Sequence, residues 1–150
     1  MTDPSGRFSK TIDSPSRRHH VELHYVGEIR FGPGLYRAEI DGRRVRRALV
    51  WRRLFGETSV WSADSRYLAL TEWRVRNERD PFDTLLVVLD MAALRLCEAD
   101  RMRDGIIEPV GFEGSVLTYT LTRYDATRRP SVERNDADVA ALHRWRSPWW

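Results

Sequence analysis

The chain has one cysteine and one lysine, and both shortages limit what it can be. A lone Cys97 among 150 residues excludes an intrachain disulfide framework and a zinc site built from paired cysteines. Of the 25 basic residues only Lys10 is a lysine. Such a strong preference for arginine leads us to expect a bacterial source with a GC-rich genome.

Long apolar runs and the short motifs of common active sites are also missing. The longest apolar run, Leu85–Leu89, is far shorter than the roughly 18–20 residues of a membrane helix. The first residues lack the apolar centre of a signal peptide, so we expect a cytoplasmic protein. There is no glycine-rich phosphate loop and no Gly-x-Ser-x-Gly motif. We therefore expect a non-catalytic protein that needs no cofactor.

The remaining composition is that of an ordinary folded domain with an uneven charge distribution. Hydrophobic residues make up 41% and charged residues 31% of the chain, which allows a real core. The net charge is +3, but residues 21–56 carry +4 (8 basic, 4 acidic) and residues 57–100 carry −4 (5 basic, 9 acidic). This asymmetry favours a surface with two electrostatic faces over a uniformly basic nucleic-acid binder.

Apolar and polar residues alternate from Val21 onward, which predicts strands. Val21, Leu23 and Tyr25 show the period of two that is typical of a half-buried strand. The segment 84–90 is almost wholly apolar and predicts a buried central strand, and 115–123 is rich in β-branched and aromatic residues. Because turn signals such as Asp41-Gly42 recur every eight to twelve residues, the fold class predicted is all-β and mainly antiparallel.

The ends of the chain differ from this pattern. Residues 1–18 are polar and predict a disordered N-terminal arm, which leaves 19–150 as a single β domain. A helical pattern begins near Asp136, with Asn135 or Asp136 as the N-cap, and Val139, Leu142 and Trp145 or Trp149 could share one face. We therefore predict a short C-terminal helix over about 136–146.

Residues 61–73 carry a local motif, with a Trp-Ser-Ala-Asp-Ser turn before the apolar segment Tyr67–Leu70. This motif resembles the blade motif of TolB-like and WD40-like β-propellers, in which a hairpin turn precedes a buried strand. The resemblance implies a propeller-blade-like meander, with a small sandwich as the alternative arrangement. It also implies protein contacts rather than catalysis. A complete propeller needs at least four blades, more than this chain can supply.

Two arginine-rich segments are the candidate partner-binding sites, because arginine and tryptophan anchor many protein interfaces. The alternative interpretation is that these charges form solvated surfaces or guard a strand edge. The predicted binding residues are Arg43, Arg44, Arg46, Arg47, Trp73, Arg74, Arg76 and Arg79.

These features lead to one main functional hypothesis and two alternatives. The main one is a protein-binding module, in its specific form a bacterial immunity protein that neutralises a cognate toxin by surface complementarity. The first alternative is a nucleic-acid-associated accessory protein that uses the basic segment Arg43–Arg53. The second is a small metal-binding domain or enzyme centred on His20, Glu22 and His24, which point to one face of a strand. The same three residues fit the solvent-exposed face of an alternating strand equally well.

Overall fold

The computed structural model describes residues 9–29, 33–42, 51–75, 82–124, 127 and 129–146. Over these residues the chain is all-β with antiparallel pairing, as predicted. The strands, in chain order, are β1 (Lys10–Asp13), β2 (His20–Glu28), β3 (Gly34–Ile40), β4 (Phe55–Trp61), β5 (Tyr67–Arg74), β6 (Asp83–Asp90), β7 (Arg95–Arg103), β8 (Gly105–Glu113), β9 (Val116–Tyr124), β10 (Pro130–Asp138) and β11 (Trp145–Arg146).

The strands form two sheets. The first has eight strands in the order β1-β2-β3-β4-β5-β6-β7-β11, and the second has three in the order β10-β9-β8. The predicted turn at Asp41-Gly42 is present, and both residues have positive φ angles (50° and 74°), as two-residue hairpin turns require. Most of the return strand predicted to follow it lies outside the described residues.

On one face of the first sheet, the side chains of its own strands pack against one another. Alternate residues of β2 to β7 form a single buried cluster that includes Leu23, Ile40, Phe55, Leu70 and Leu85. These five side chains are at most 1% exposed, and every member of the cluster comes from the first sheet or its turns. The natural twist of a sheet favours curvature around such a cluster, and we call the side that carries it the concave face.

The opposite, convex face of the central strands packs against the second sheet. Leu86 and Val88 of β6 share a second buried cluster with Ile107 of β8 and Leu117 of β9. The Thr84 hydroxyl donates a hydrogen bond to the carbonyl of Gly105 over 2.8 Å and ties the two sheets together. Since β6 is covered on both faces, all eight of its residues are buried. This confirms the central strand predicted from its apolar run.

The N-terminal segment predicted as an arm contains a strand. Residues Lys10–Asp13 form β1 at the edge of the first sheet and pair with β2. Ile12 is half-buried against the concave cluster, and it is the one apolar side chain of that strand. Among the described residues, no helix is long and apolar enough to cross a membrane.

The predicted C-terminal helix over 136–146 is wrong. Asp136 and Asp138 belong to β10, and helical structure within residues 136–146 is limited to a single 3-10 turn, Val139–Ala141, capped by Asp138. The strand continues because Asp136 pairs with Thr118, whose hydroxyl donates to its carboxylate over 2.7 Å. Val139 and the half-buried Leu142 and Trp145 do pack on one cluster, as their spacing predicted, but from a turn and a short strand.

Candidate functional site

At one end of the concave face, the apolar core gives way to charged residues. Glu72 and Arg74 of β5 continue the side of the strand that carries Leu68 and Leu70, and Asp83 of β6 is the register partner of Arg74. A depression of about 510 Å³ lies here. We call it the arginine basin, and its lining residues are Arg52, Arg53, Glu72, Arg74, Glu98, Arg101 and Arg146.

The floor of the basin is a buried ion network centred on Arg53. The Arg53 Nη1 atom donates to Glu72 Oε2 over 2.6 Å and to Glu98 Oε1 over 2.9 Å. Arg74 completes the network through Nε to Glu72 Oε1 (3.3 Å) and through Nη2 to Glu98 Oε1 (3.0 Å). The side chains of Arg53 and Glu72 are only 4% and 5% exposed. Two cations and two anions therefore hold each other in fixed positions.

Electrostatics favour the charged forms of two members of this network, Glu98 and Arg74. Burial alone would raise the pKa of Glu98, but the hydrogen bond from Arg53 and the charges of Arg53 and Arg74 lower it below its usual value. Burial likewise works against the charge of Arg74, but Glu72 and Glu98 raise the pKa of Arg74. Glu98 and Arg74 therefore both remain charged near neutral pH.

The rim of the basin carries exposed arginines. Arg101 is 56% exposed and pairs with the buried carboxylate of Asp83. The side chains of Arg52 and Arg146 are exposed, and neither makes a hydrogen bond or close ion pair to another described residue, although the charge of Arg146 helps to lower the pKa of Glu98. Five arginines thus line the basin with two glutamates. Guanidinium groups on the rim can donate paired hydrogen bonds to a carboxylate or a phosphate brought from outside.

Two of the predicted binding residues, Trp73 and Arg74, lie within the described ranges, and the structure places them in different surroundings. Arg74 is in the basin, whereas Trp73 is only 5% exposed and packs against Phe82, with 4.6 Å between the ring centroids. The other six predicted residues lie outside the described ranges, namely Arg43, Arg44, Arg46, Arg47, Arg76 and Arg79.

Sequence reasoning did not identify Glu98, Arg101 or Arg146 as part of this site. They come from β7 and β11, which are distant in sequence from Arg53. The only local signal was the run of arginines that ends at Arg53.

The predicted metal-ligand set is only partly brought together. Glu22 and His24 lie side by side on the convex face of β2, and Glu39 of β3 joins them. His20 is not in this group, because its Nδ1 atom contacts the carboxylate of Asp13 across the β1–β2 pair.

A second depression, of about 730 Å³, lies between the β1–β2 and β4–β5 turns. Its polar groups serve the turns themselves. Asp64 accepts hydrogen bonds from the Ser62 hydroxyl (2.6 Å) and the Arg66 amide (3.1 Å), and Ser65 accepts one from the Ser16 amide (2.9 Å). These bonds engage Asp64 and Ser65 within the turns, whereas the arginine basin combines a fixed ion network with exposed arginines, so we take the basin as the candidate site.

Comparison with known proteins gives no match for this chain among the models of protein families, the curated proteins or the solved structures.

Proposed function

We propose that this chain is a non-catalytic protein-binding module that recognises an acidic protein surface through the arginine basin. The observation that carries the proposal is the contrast between the floor and the rim of the basin. On the floor, Arg53 and Arg74 are neutralised by Glu72 and Glu98. On the rim, exposed arginines remain available for carboxylates of a partner.

The buried network gives the basin a fixed shape before a partner arrives. Arg53 accounts for much of this rigidity, since it bonds to β5 and β7 at once. A site held in place by internal hydrogen bonds loses little conformational entropy on binding. The rim charges would speed association through long-range attraction, and paired hydrogen bonds from arginine would slow release.

A protein partner fits the basin better than a nucleic acid. The basin is a compact depression of about 510 Å³ rather than an extended groove along which a phosphate backbone could run. Nucleic-acid sites more often present a continuous basic stripe. The net charge of +3 also supplies little of the general attraction on which nucleic-acid binding depends.

The specific form of the proposal is an immunity protein that binds a cognate toxin in the bacterial cytoplasm and blocks its activity. It is supported by the size of the chain, by the absence of a catalytic motif in the sequence and by a preformed charged surface. Inhibition in this case requires only that the basin cover an acidic region of the toxin.

The test is affinity capture from the native host after nuclease treatment, with charge-reversal variants alongside the wild type. The double variant Arg52→Glu/Arg146→Glu reverses two rim charges. The matched control Arg123→Glu/Arg134→Glu makes the same charge change at exposed positions on the second sheet. A captured partner is then purified, its affinity is measured by calorimetry, and its own activity is assayed with and without the chain.

We expect one protein that the wild type and the control variant retain and the rim variant loses, with at least about tenfold weaker affinity for the rim variant. Equal retention by both variants would remove the basin from the binding site. Recovery of nucleic acid that the nuclease abolishes would favour the nucleic-acid alternative.

A further inference from the structure

We propose that Glu22, His24 and Glu39 form a binding site for one divalent transition-metal ion of the Zn²⁺ class on the convex face of β2 and β3. The three residues each offer one ligand atom, and these atoms all lie within 4.8 Å of one another. The site is independent of the arginine basin, which lies at the end of the concave face.

The pairing of two strands brings the three side chains together. Glu22 and His24 are two residues apart on β2 and therefore point to the same face. Glu39 is the register partner of Glu22 on β3, so it shares that face. Side chains held on paired strands have positions fixed by the sheet, which favours a preformed site over one assembled from loops.

One of the three distances between ligand atoms matches the separation around a single ion, and the others are within 4.8 Å. His24 Nε2 lies 3.4 Å from Glu39 Oε2 and 3.8 Å from Glu22 Oε2. Zinc binds imidazole nitrogen and carboxylate oxygen at about 2.0–2.2 Å, which places two ligands of a tetrahedral ion about 3.3–3.5 Å apart. The His24–Glu39 pair already has this separation. A small rotation of the half-exposed Glu22 side chain would bring the His24–Glu22 pair to the same separation.

The orientation of His24 is an independent observation that points to a ligand. Its Nε2 atom is buried and makes no hydrogen bond to a described residue, although it lies between the two carboxylates. A buried nitrogen that makes no hydrogen bond is costly, and a bound cation would coordinate this atom in place of its ion-pair contact with Glu39. The edge of the His24 ring meets Trp51, with 5.7 Å between centroids, and this contact holds the ring in place.

The charges around the site also favour a cation. Glu22 and Glu39 face each other directly across an antiparallel pair, an arrangement that is destabilising for like charges. Arg37 is the register partner of His24, but its guanidinium lies 5.9 Å from the Trp51 ring and donates to the Trp51 carbonyl over 3.4 Å. It is therefore engaged with Trp51.

The donor set selects the class of metal. Imidazole suits zinc, copper, iron and nickel, whereas magnesium and calcium prefer sites made only of oxygen ligands. Three protein ligands leave a coordination position open to solvent. Glu22 and His24 are 43% and 36% exposed, so the site lies at the protein surface.

The test is calorimetric titration of the metal-free, untagged chain with ZnCl₂, and with MgCl₂ and CaCl₂ for comparison. The variants His24→Asn and Glu39→Gln each remove a ligand. The matched control is His20→Asn, which removes an imidazole from the same face of β2 but outside the cluster. Circular dichroism without metal establishes that each variant is folded, and Co²⁺ absorption spectra report the coordination.

We expect one Zn²⁺ per chain in the wild type and in His20→Asn, and at least about tenfold weaker binding in both ligand variants. Absorption bands typical of nitrogen and oxygen coordination should appear with Co²⁺ and disappear in the ligand variants. Lack of zinc binding by the folded wild type would overturn the proposal. Binding that survives both ligand substitutions, or that His20→Asn abolishes, would overturn it as well.

Discussion

The Nη1 atom of Arg53 lies 2.6 Å from the Oε2 atom of Glu72, and the two side chains are no more than 5% exposed. Arg53 precedes β4, whereas Glu72 lies within β5, so this ion pair joins two separate segments. Removing two opposite charges from water is costly, and a buried pair persists only if its other polar atoms are also satisfied. Glu98 and Arg74 supply those contacts.

Replacing Arg53 by methionine should destabilise the fold strongly. The substitution leaves Glu72 buried without its main cation, and breaking a buried ion pair costs about 3–5 kcal/mol. Urea unfolding gives the free energy of unfolding, with the exposed Arg52→Met as control, for which a change within about 0.5 kcal/mol is expected. A similar small change in Arg53→Met would show that the network does not stabilise the fold.

Asp90 should make the fold sensitive to acid. Its fully buried carboxylate accepts hydrogen bonds from Arg66, Arg95 and the amides of Ala92 and Ala93. Burial alone would raise the pKa of Asp90, but these bonds lower it below the usual value. A lowered pKa in the folded state means that the stabilisation is complete above about pH 4, the ordinary range for aspartate, and is lost as the pH falls further.

The variant Asp90→Asn should therefore lose about 2–3 kcal/mol of stability at pH 7. The difference in the free energy of unfolding between wild type and variant should be smaller at pH 3, because the wild type also begins to lose its ionised carboxylate there. Urea unfolding at the two pH values measures this, with the exposed Glu113→Gln as control. An equal difference in the free energy of unfolding at the two pH values would show that the charge of Asp90 does not contribute to stability.

Gly56 is in β4 at a point where a side chain does not fit. A Cβ atom there would lie 2.7 Å from Trp73 Nε1, and Trp73 is held against Phe82. We expect Gly56→Ala to cost about 1–3 kcal/mol through overpacking. Gly111 in β8 is the matched control, since a Cβ atom there meets nothing within 4 Å. Thermal unfolding compares the two, and equal midpoints would contradict the packing explanation.

Tyr119 should make the fold sensitive to alkali. Burial and the hydrogen bond that its hydroxyl donates to Asp100 Oδ2 (2.8 Å) raise the pKa of Tyr119 to about 12. Because the un-ionised phenol is favoured in the folded state, its contribution to stability is complete below pH 10 and is lost as the pH rises toward 12.

The variant Tyr119→Phe should lose about 1 kcal/mol of stability at neutral pH. Between pH 10 and 12 it should then lose less stability than the wild type does. Urea unfolding across this range measures both effects. Tyr124→Phe is the control, because Tyr124 is 53% exposed. An identical alkaline loss in wild type and Tyr119→Phe would contradict the prediction.

Local patterns in the sequence predicted the local parts of the fold. The turn at Asp41-Gly42 and the buried strand β6 follow from residues next to each other in the chain. The helix prediction failed at β10, because its polar sequence has no strand preference of its own. Pairing with all nine residues of β9 makes it a strand.

The candidate site was mostly hidden from sequence reasoning, for a physical reason. Arg53 is 19 residues from Glu72 and 45 from Glu98, so only the register of the sheet brings these charges together. The same holds for Glu39, which enters the Glu22–His24 group through strand pairing. A sequence shows which charges exist, but their partners are set by the tertiary fold.

The order of strands in space has a consequence for how the chain can assemble. From β1 to β7, and again from β8 to β10, each strand pairs with the strand that follows it in the sequence. Pairing between chain neighbours closes short loops, which costs little entropy and favours rapid folding. Among the described strands, β11 is the exception. It pairs with β7, although the three strands of the second sheet lie between them in the sequence. We therefore expect hairpins to form in the order of synthesis, with β11 as the last of the described strands to dock.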